Sequence, residues 1–146
     1  LAAVGAISTA VVLPAIDHSH MDQFAAGAEE WLAEPGRSGM VRRELPVEFP
    51  ALVAELVAEG IDGLFCLLAD GPDTYAALRA AGAEPGRDVH VVVLSDGPVE
   101  ALLDPPMTTL ELLPDEAAAG VMAAARKVLG GGRGEVVLPY ALVVRD

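Results

Sequence analysis

The stretch "PPMTTLELLPDEAAAG" at residues 105–120 decides how the end of the chain is built. Its two adjacent prolines lack backbone donors and hold the chain extended, and the β-branched threonines after them favour a strand over 107–112. Pro114 suits the first turn of a helix, and the alanines behind it favour a helix over about 115–129, which "GGGRG" terminates. A second stretch, "EVVLPYALVVRD" at 135–146, is rich in β-formers but interrupted by Pro139, which predicts two short pieces or an edge strand.

Upstream of this region, apolar β-rich runs alternate with amphipathic helical runs. The runs at 9–16, 61–70 and 88–96 are typical of buried strands, and the more polar run at 39–45 indicates a strand nearer a sheet edge. Helical spacing of apolar residues predicts helices over 19–33, 49–60 and 72–81. Such alternation predicts an α/β fold, a three-layer lobe with a parallel sheet between helices, whose core includes 10–15, 61–68 and 89–95.

Length and charge limit the functions that this chain can perform. Its 146 residues correspond to about one domain. A net charge of −13 with only nine Lys and Arg argues against direct binding to nucleic acid. The apolar start lacks the basic region of a secretion signal and is too broken by Gly and Pro to span a bilayer. The single cysteine, Cys66, fits a reducing compartment, and we expect a cytoplasmic protein.

A ligand site is predicted where the parallel strands end. Parallel α/β sheets bind ligands beyond the carboxyl ends of their strands. Here those ends carry "PAIDHSHMD", "LADGPD" and "LSDGP", which are polar, acidic and turn-forming. A cleft is therefore expected at this edge of the sheet.

These segments allow two other interpretations. The histidines and carboxylates of "DHSHMD" at 17–22 have suitable chemistry for a metal, but Asp17 or Ser19 could instead cap the following helix. Asp70 and Asp96 could form an acid–base pair, although Asp and Gly commonly lead out of a strand. No P-loop, dinucleotide fingerprint or nucleophile elbow is present in the sequence. We expect no catalytic residue, metal or cofactor.

The motifs resemble those of the effector-binding domain of LacI/GalR transcription regulators, which is periplasmic-binding-protein-like. "PPMTTLELLPDEAAAG" is similar to that family's "P-P-L-T-T-V" run and Ala-rich helix, and "VVLPYALVVRD" to its closing "L-L-P-x-x-L-V-x-R". "IDGLFCLLAD" and "GRDVHVVVLSD" resemble "P-D-A-I-F-A-A-N-D" and "P-E-D-I-S-V-V-G-F-D-D", and the start "LAAVGAISTAVVLP" is also similar. The resemblance runs in order over essentially the whole chain.

This resemblance implies an organisation. Residues 1–146 would be the C-terminal lobe of an effector-binding domain together with its final crossover and return segment. The DNA-binding headpiece and the first lobe would precede Leu1, so that DNA is contacted only through the absent headpiece. The resemblance also implies a homodimer, with the helix after Asp70, including Tyr75 and Leu78, as its surface.

The resemblance further implies which residues meet the small-molecule effector: Asp22, Phe24, Asp70 and Ser95. The arginine that usually binds sugar hydroxyls falls at Phe24, and the first aspartate of "F-D-D" falls at Ser95. Both losses remove groups suited to polyol recognition. We expect a sugar or another polar metabolite as the effector, but these losses favour stacking of a planar or partly apolar molecule on Phe24 over a simple sugar, or else the site is degenerate. The alternatives are a lobe of a periplasmic sugar-binding protein and a small α/β enzyme.

Overall fold

A computed structural model describes residues 6–95, 97–134, 136 and 139–145. Six strands form one sheet: β1 Ser8–Pro14, β2 Ser38–Glu44, β3 Gly63–Cys66, β4 His90–Leu94, β5 Thr108–Leu112 and β6 Tyr140–Val143. Four helices accompany them: α1 Ser19–Leu32, α2 Phe49–Ala58, α3 Gly71–Ala80 and α4 Pro114–Leu129. Short 3-10 turns lie at Pro46–Glu48 and Glu100–Leu102.

The strand order is β2-β1-β3-β4-β5-β6. Strands β1 to β5 are parallel to their neighbours, and β6 alone pairs antiparallel, on β5. The predicted α/β lobe with a parallel sheet is confirmed, as are the central position of 61–68, the edge position of 39–45 and the edge strand after Pro139. The strands are shorter than predicted because the chain turns towards the next helix before its apolar run ends; β3, for example, stops at Cys66.

The two faces of the sheet carry separate cores. Strand residues that alternate towards α2 and α3 form the larger core, which contains Ala10, Val12, Leu64, Cys66, Val91 and Val93. Their neighbours on the other face pack against α1 and include Val11, Leu13 and Phe65. A period of two along each strand thus covers both faces, as expected for a parallel sheet between helices. Burial raises the pKa of the Cys66 thiol, which keeps it protonated within this core.

The helix ends follow the sequence signals, with one exception. Pro114 begins α4, and Gly82 follows α3 with a φ of +83° that favours glycine. The prediction that Asp17 or Ser19 caps α1 is wrong: His18 is the N-cap, and its ring accepts from the His20 amide. An imidazole Nδ1 can act as this acceptor, but it is not among the preferred capping groups, which is why the sequence did not indicate it.

Two residues of the predicted dimer surface, Tyr75 and Leu78, are wrong, although the helix that carries them has another, exposed face. Tyr75 and Leu78 lie on the inner side of α3, where only 4% and 0% of their surfaces are exposed. These two side chains belong to the core above the sheet and cannot contact a partner. Within the described residues, none of the helices combines the length and hydrophobicity that crossing a membrane requires.

Candidate ligand-binding edge

The helix starts meet the carboxyl ends of the strands at one edge of the sheet. α1 follows the end of β1 and α3 follows the end of β3, but they cover opposite faces. β6 runs the other way and therefore begins at this edge, with Tyr140 opposite Leu112 at the end of β5. The edge is thus lined by residues from the start of α1, the start of α3, the end of β4 and the start of β6.

Three aromatic rings and two imidazoles form a chain of contacts on the α1 side. The Phe24 ring centroid lies 6.4 Å from that of Phe65 and 6.4 Å from that of Tyr140, and 6.3 Å from that of His20. His20 in turn lies 4.3 Å from His18, ring to ring. Phe24, Phe65 and Tyr140 are each partly exposed. Tilted and edge-on rings at these separations provide an apolar wall with open ring surface.

The two histidines also share a hydrogen bond. Their Nδ1 atoms are 2.6 Å apart, so one ring donates and the other accepts. His18 Nδ1 further accepts from the His20 amide at 3.4 Å as the cap of α1. In the described part of the chain, no group of three His, Cys, Asp or Glu side chains is placed to hold a metal ion. The described residues therefore place no third ligand beside these histidines, and His18 caps the start of α1.

Asp22 lies next to this wall, and its carboxylate forms an ion pair with Arg43. Its Oδ1 atom accepts a hydrogen bond from Arg43 Nη2 at 2.6 Å, which ties α1 to the end of β2. Both side chains are substantially exposed, so the pair contributes only about 0.2–1 kcal/mol to folding. A ligand that uses Asp22 would have to compete with, or add to, this ion pair.

Asp70 lies at the start of α3 and Ser95 at the end of β4. The side chain of each accepts a hydrogen bond from a backbone amide. Asp70 Oδ1 accepts from the Asp73 amide at 2.9 Å as the N-cap of α3. Ser95 Oγ accepts from the Gly97 amide at 3.1 Å. Each oxygen keeps lone pairs for a further partner. Asp96, the proposed partner of Asp70 in acid–base chemistry, lies outside the described residues.

The four predicted ligand residues therefore divide into two pairs. Asp22 and Phe24 lie at the start of α1, while Asp70 and Ser95 lie where α3 begins and β4 ends, on the other side of the sheet. An open groove of about 550 Å³ between α2 and α3 includes Asp70 but none of the other three. It is lined largely by alanine and proline and lies outside the aromatic wall.

A hydrogen-bond network joins the two sequence motifs at the end of the chain. Arg145 Nη1 donates to Thr109 Oγ1 at 2.6 Å and to the Met107 carbonyl at 3.0 Å, and Arg145 Nη2 donates to Glu111 Oε1 at 2.7 Å. Thr109 Oγ1 also donates to Glu111 Oε1 at 2.7 Å, and this bond, together with Arg145, lowers the pKa of the Glu111 carboxyl. The returning segment is thus fastened to β5 by side chains as well as by strand pairing.

Several residues of this edge were not identified from the sequence. Tyr140 reaches it because β6 is antiparallel to β5, a direction for which the sequence pattern gives no signal. Arg43 and Phe65 arrive from neighbouring strands, and Glu100 lies buried beside the start of α3. An acidic residue in a turn usually indicates solvent exposure, so the sequence carried no signal for Glu100.

The fold is that of solved transcription regulators. The chain superposes on a LacI family transcriptional regulator from Bifidobacterium animalis subsp. lactis with a TM-score of 0.79 and 18% identity, over 99% of this chain and 56% of that one. A dimeric Lac repressor with an 11-residue C-terminal deletion gives 0.75 and 21%, over 99% and 56%. A LacI family transcriptional regulator from Arthrobacter sp. FB24 in complex with lactose gives 0.69 and 19%, over 99% and 59%.

These likenesses define the fold class. Over nearly its whole length, the chain has the α/β lobe found in LacI family regulators, and it spans little more than half of their length. These structural neighbours are transcriptional regulators rather than enzymes. No protein-family model matches the sequence, and no curated protein matches it either.

Proposed function

We propose that this chain is the C-terminal, effector-binding lobe of a LacI/GalR-type transcription regulator, with residues 1–146 comprising the lobe and the final crossover and return segment. The regulator fold and the side-chain network between Arg145 and β5 support the crossover and return. Helix α4 supports the assignment of the chain as one lobe of a larger domain, because its apolar side chains Val121, Met122 and Leu129 are exposed by 49%, 54% and 88%. An apolar face of this kind is suited to packing against a first lobe.

The effector site proposed here comprises Asp22, Phe24, Asp70 and Ser95 at the carboxyl edge. The observation that carries this proposal is the aromatic wall around Phe24. It offers ring surface where the family resemblance would place an arginine that binds sugar hydroxyls. Arg43 is held by Asp22 and does not replace the missing guanidinium at position 24. A planar, partly apolar effector fits this wall better than a free sugar does.

The proposed regulator is a homodimer, and the groove between α2 and α3 is its revised contact surface. Ala76 and Ala80 line the groove and face outward, in contrast to the buried Tyr75 and Leu78 on the same helix. Small side chains allow two helices to approach closely. Two-fold symmetry of such a contact would match two operator half-sites, read by headpieces outside this chain.

The remaining elements of the proposal concern location and chemistry. The proposed regulator is cytoplasmic and has no catalytic residue, metal or cofactor. The acidic charge of −13 agrees with this proposal, since DNA contact would belong to the headpiece. The chain by itself should give no specific shift of duplex DNA at physiological salt, because the recognition helix is not part of it.

A ligand screen on matched variants tests this function. Planar heteroaromatic compounds and sugars would be compared by thermal shift on the chain, on Phe24→Arg and on Gln23→Arg, an exposed neighbour that receives the same charge. Planar compounds should raise the Tm of the original chain and of Gln23→Arg, whereas Phe24→Arg should lose this response and gain one to sugars. Equal responses of all three proteins would contradict the assignment of Phe24.

A further inference from the structure

Glu100 is a buried carboxylate at the ligand-binding edge. Only 3% of its surface is exposed, and it is the one buried acidic side chain among the described residues. No residue in the described part of the chain donates a hydrogen bond to its Oε2 atom, which is closed to solvent. Burying a carboxylate oxygen without a donor is costly, so the position requires an explanation beyond packing.

Two glycines make room for this carboxylate. A Cβ atom at Gly71 would lie 2.8 Å from Glu100 Cγ and 3.2 Å from Oε1. A Cβ atom at Gly97 would lie 3.4 Å from Glu100 Oε2 and 3.6 Å from Ser95 Oγ. Glu100 Oε2 and Ser95 Oγ thus border the same position beside Gly97. Gly71 does not have a positive φ, so backbone conformation does not require glycine there, and a side chain at Gly71 would displace the carboxylate.

The start of α3 explains the negative charge but not the unpaired oxygen. Gly71 is the first residue of this ten-residue helix, and the positive end of a helix stabilises a nearby anion. The amide donors of Asp73 and Thr74 are already used by Asp70, which leaves them unable to serve Glu100. Oε2 points instead towards Gly97 and Ser95, away from the helix start that Oε1 faces.

We propose that Glu100 Oε2, assisted by Ser95 Oγ, accepts hydrogen bonds from a protonated amine of the effector. This inference rests on the proposed effector site and adds the chemical class of one of the effector's groups. Asp70 and Asp73 add two carboxylates at the start of α3, so this part of the edge attracts a cation and repels an anion. The amine reaches Oε2 by displacing the turn at Gly97–Val99, where Pro98 and Val99 are exposed.

Three probes with one ring and different head groups test the proposal: 2-phenylethylamine, 2-phenylethanol and 3-phenylpropionate. Each would be titrated into the ¹⁵N-labelled chain and followed by amide chemical shifts. We expect the amine to bind about ten-fold more tightly than the alcohol, because a hydrogen bond to a buried charge is strong, and to shift the Gly71 and Gly97 amides. The propionate should bind most weakly.

Matched variants assign this preference to Glu100. Glu100→Gln removes the charge at nearly constant shape and should abolish the preference for the amine, whereas Glu30→Gln, at an exposed site on α1, should retain it. Thermal unfolding checks that both variants fold. If Glu100→Gln does not fold, Ser95→Ala carries the test and should weaken amine binding several-fold without affecting the alcohol.

The outcomes separate this inference from the proposed function. If amine and alcohol bind equally and shift residues around Phe24, or if the amine preference persists in the folded Glu100→Gln variant, the role of Glu100 is refuted while the effector edge stands. If none of the three probes shifts any amide at the carboxyl edge, the effector edge and the role of Glu100 both fall.

Discussion

Arg145 Nη2 lies 2.7 Å from Glu111 Oε1, which joins the penultimate residue of the chain to the strand that follows the double proline. Both side chains are partly buried, with relative exposures of 19% and 29%. The same guanidinium holds Thr109 Oγ1 and the Met107 carbonyl, so one residue of the closing motif uses three acceptors of the opening motif. The double-proline stretch and the closing stretch are therefore joined into one structural unit.

Loss of this guanidinium should destabilise the lobe. Arg145→Met removes the donors to Thr109, Glu111 and Met107 while keeping an apolar stem, and we expect a loss of about 2–4 kcal/mol in the free energy of unfolding. Arg126→Met, on the exposed side of α4, should cost less than about 0.5 kcal/mol. Urea unfolding followed by circular dichroism measures both, and similar losses in the two variants would refute the role given to Arg145.

The pKa of Glu111 gives the network a pH dependence. Because Thr109 and Arg145 lower this pKa in the folded state, the ionised carboxylate stabilises folding above the ordinary carboxyl pKa of about 4.3. That contribution should be lost as pH falls from about 5 through the lowered value. Glu111→Gln should flatten the fall of stability in this acid range relative to the original chain, with both measured by urea unfolding between about pH 3 and pH 6. Parallel pH profiles of the two proteins would be contrary to this expectation.

The two possible roles of Asp70 can be separated with two substitutions. Asp70→Ala removes the cap of α3 and should cost about 1 kcal/mol of stability, whereas Asp70→Asn keeps a capping oxygen and should cost a few tenths. Both remove the carboxylate and should weaken binding of an identified effector in calorimetry. If Asp70→Asn binds as the original chain does, Asp70 acts as a cap and not as a ligand residue.

Self-association should depend on the groove between α2 and α3. Ala76→Arg introduces a long charged side chain into the groove and should shift the chain towards monomer in analytical ultracentrifugation. Ala26→Arg, exposed on α1, serves as the control and should leave the distribution unchanged. A dimer that survives Ala76→Arg at the same concentration would place the contact elsewhere on the surface.

The strands and the polar edge at their carboxyl ends were predictable, because continuous apolar runs and the polar residues after them are local patterns. The antiparallel return that brings Tyr140 beside Phe24 is a contact between distant segments, which periodicity does not encode. The resemblance placed Tyr75 and Leu78 on a surface. They lie three residues apart and so share one face of α3, and that face packs in the core. Glu100 is buried although acidic residues are usually exposed. Its position could not be predicted because residues at functional sites often break such local rules.

We propose that a small molecule binds at the carboxyl edge beside Phe24. The most direct measurement is chemical-shift mapping of the ¹⁵N-labelled chain with a planar ligand from the thermal-shift screen, in the original protein and in Phe24→Ala. We expect shifts for His20, Phe24, Ser95 and Tyr140, and at least about five-fold weaker binding in Phe24→Ala, since the ring face that the ligand covers is lost. Shifts confined to the α2–α3 groove, or an unchanged Kd in a folded Phe24→Ala variant, would contradict it.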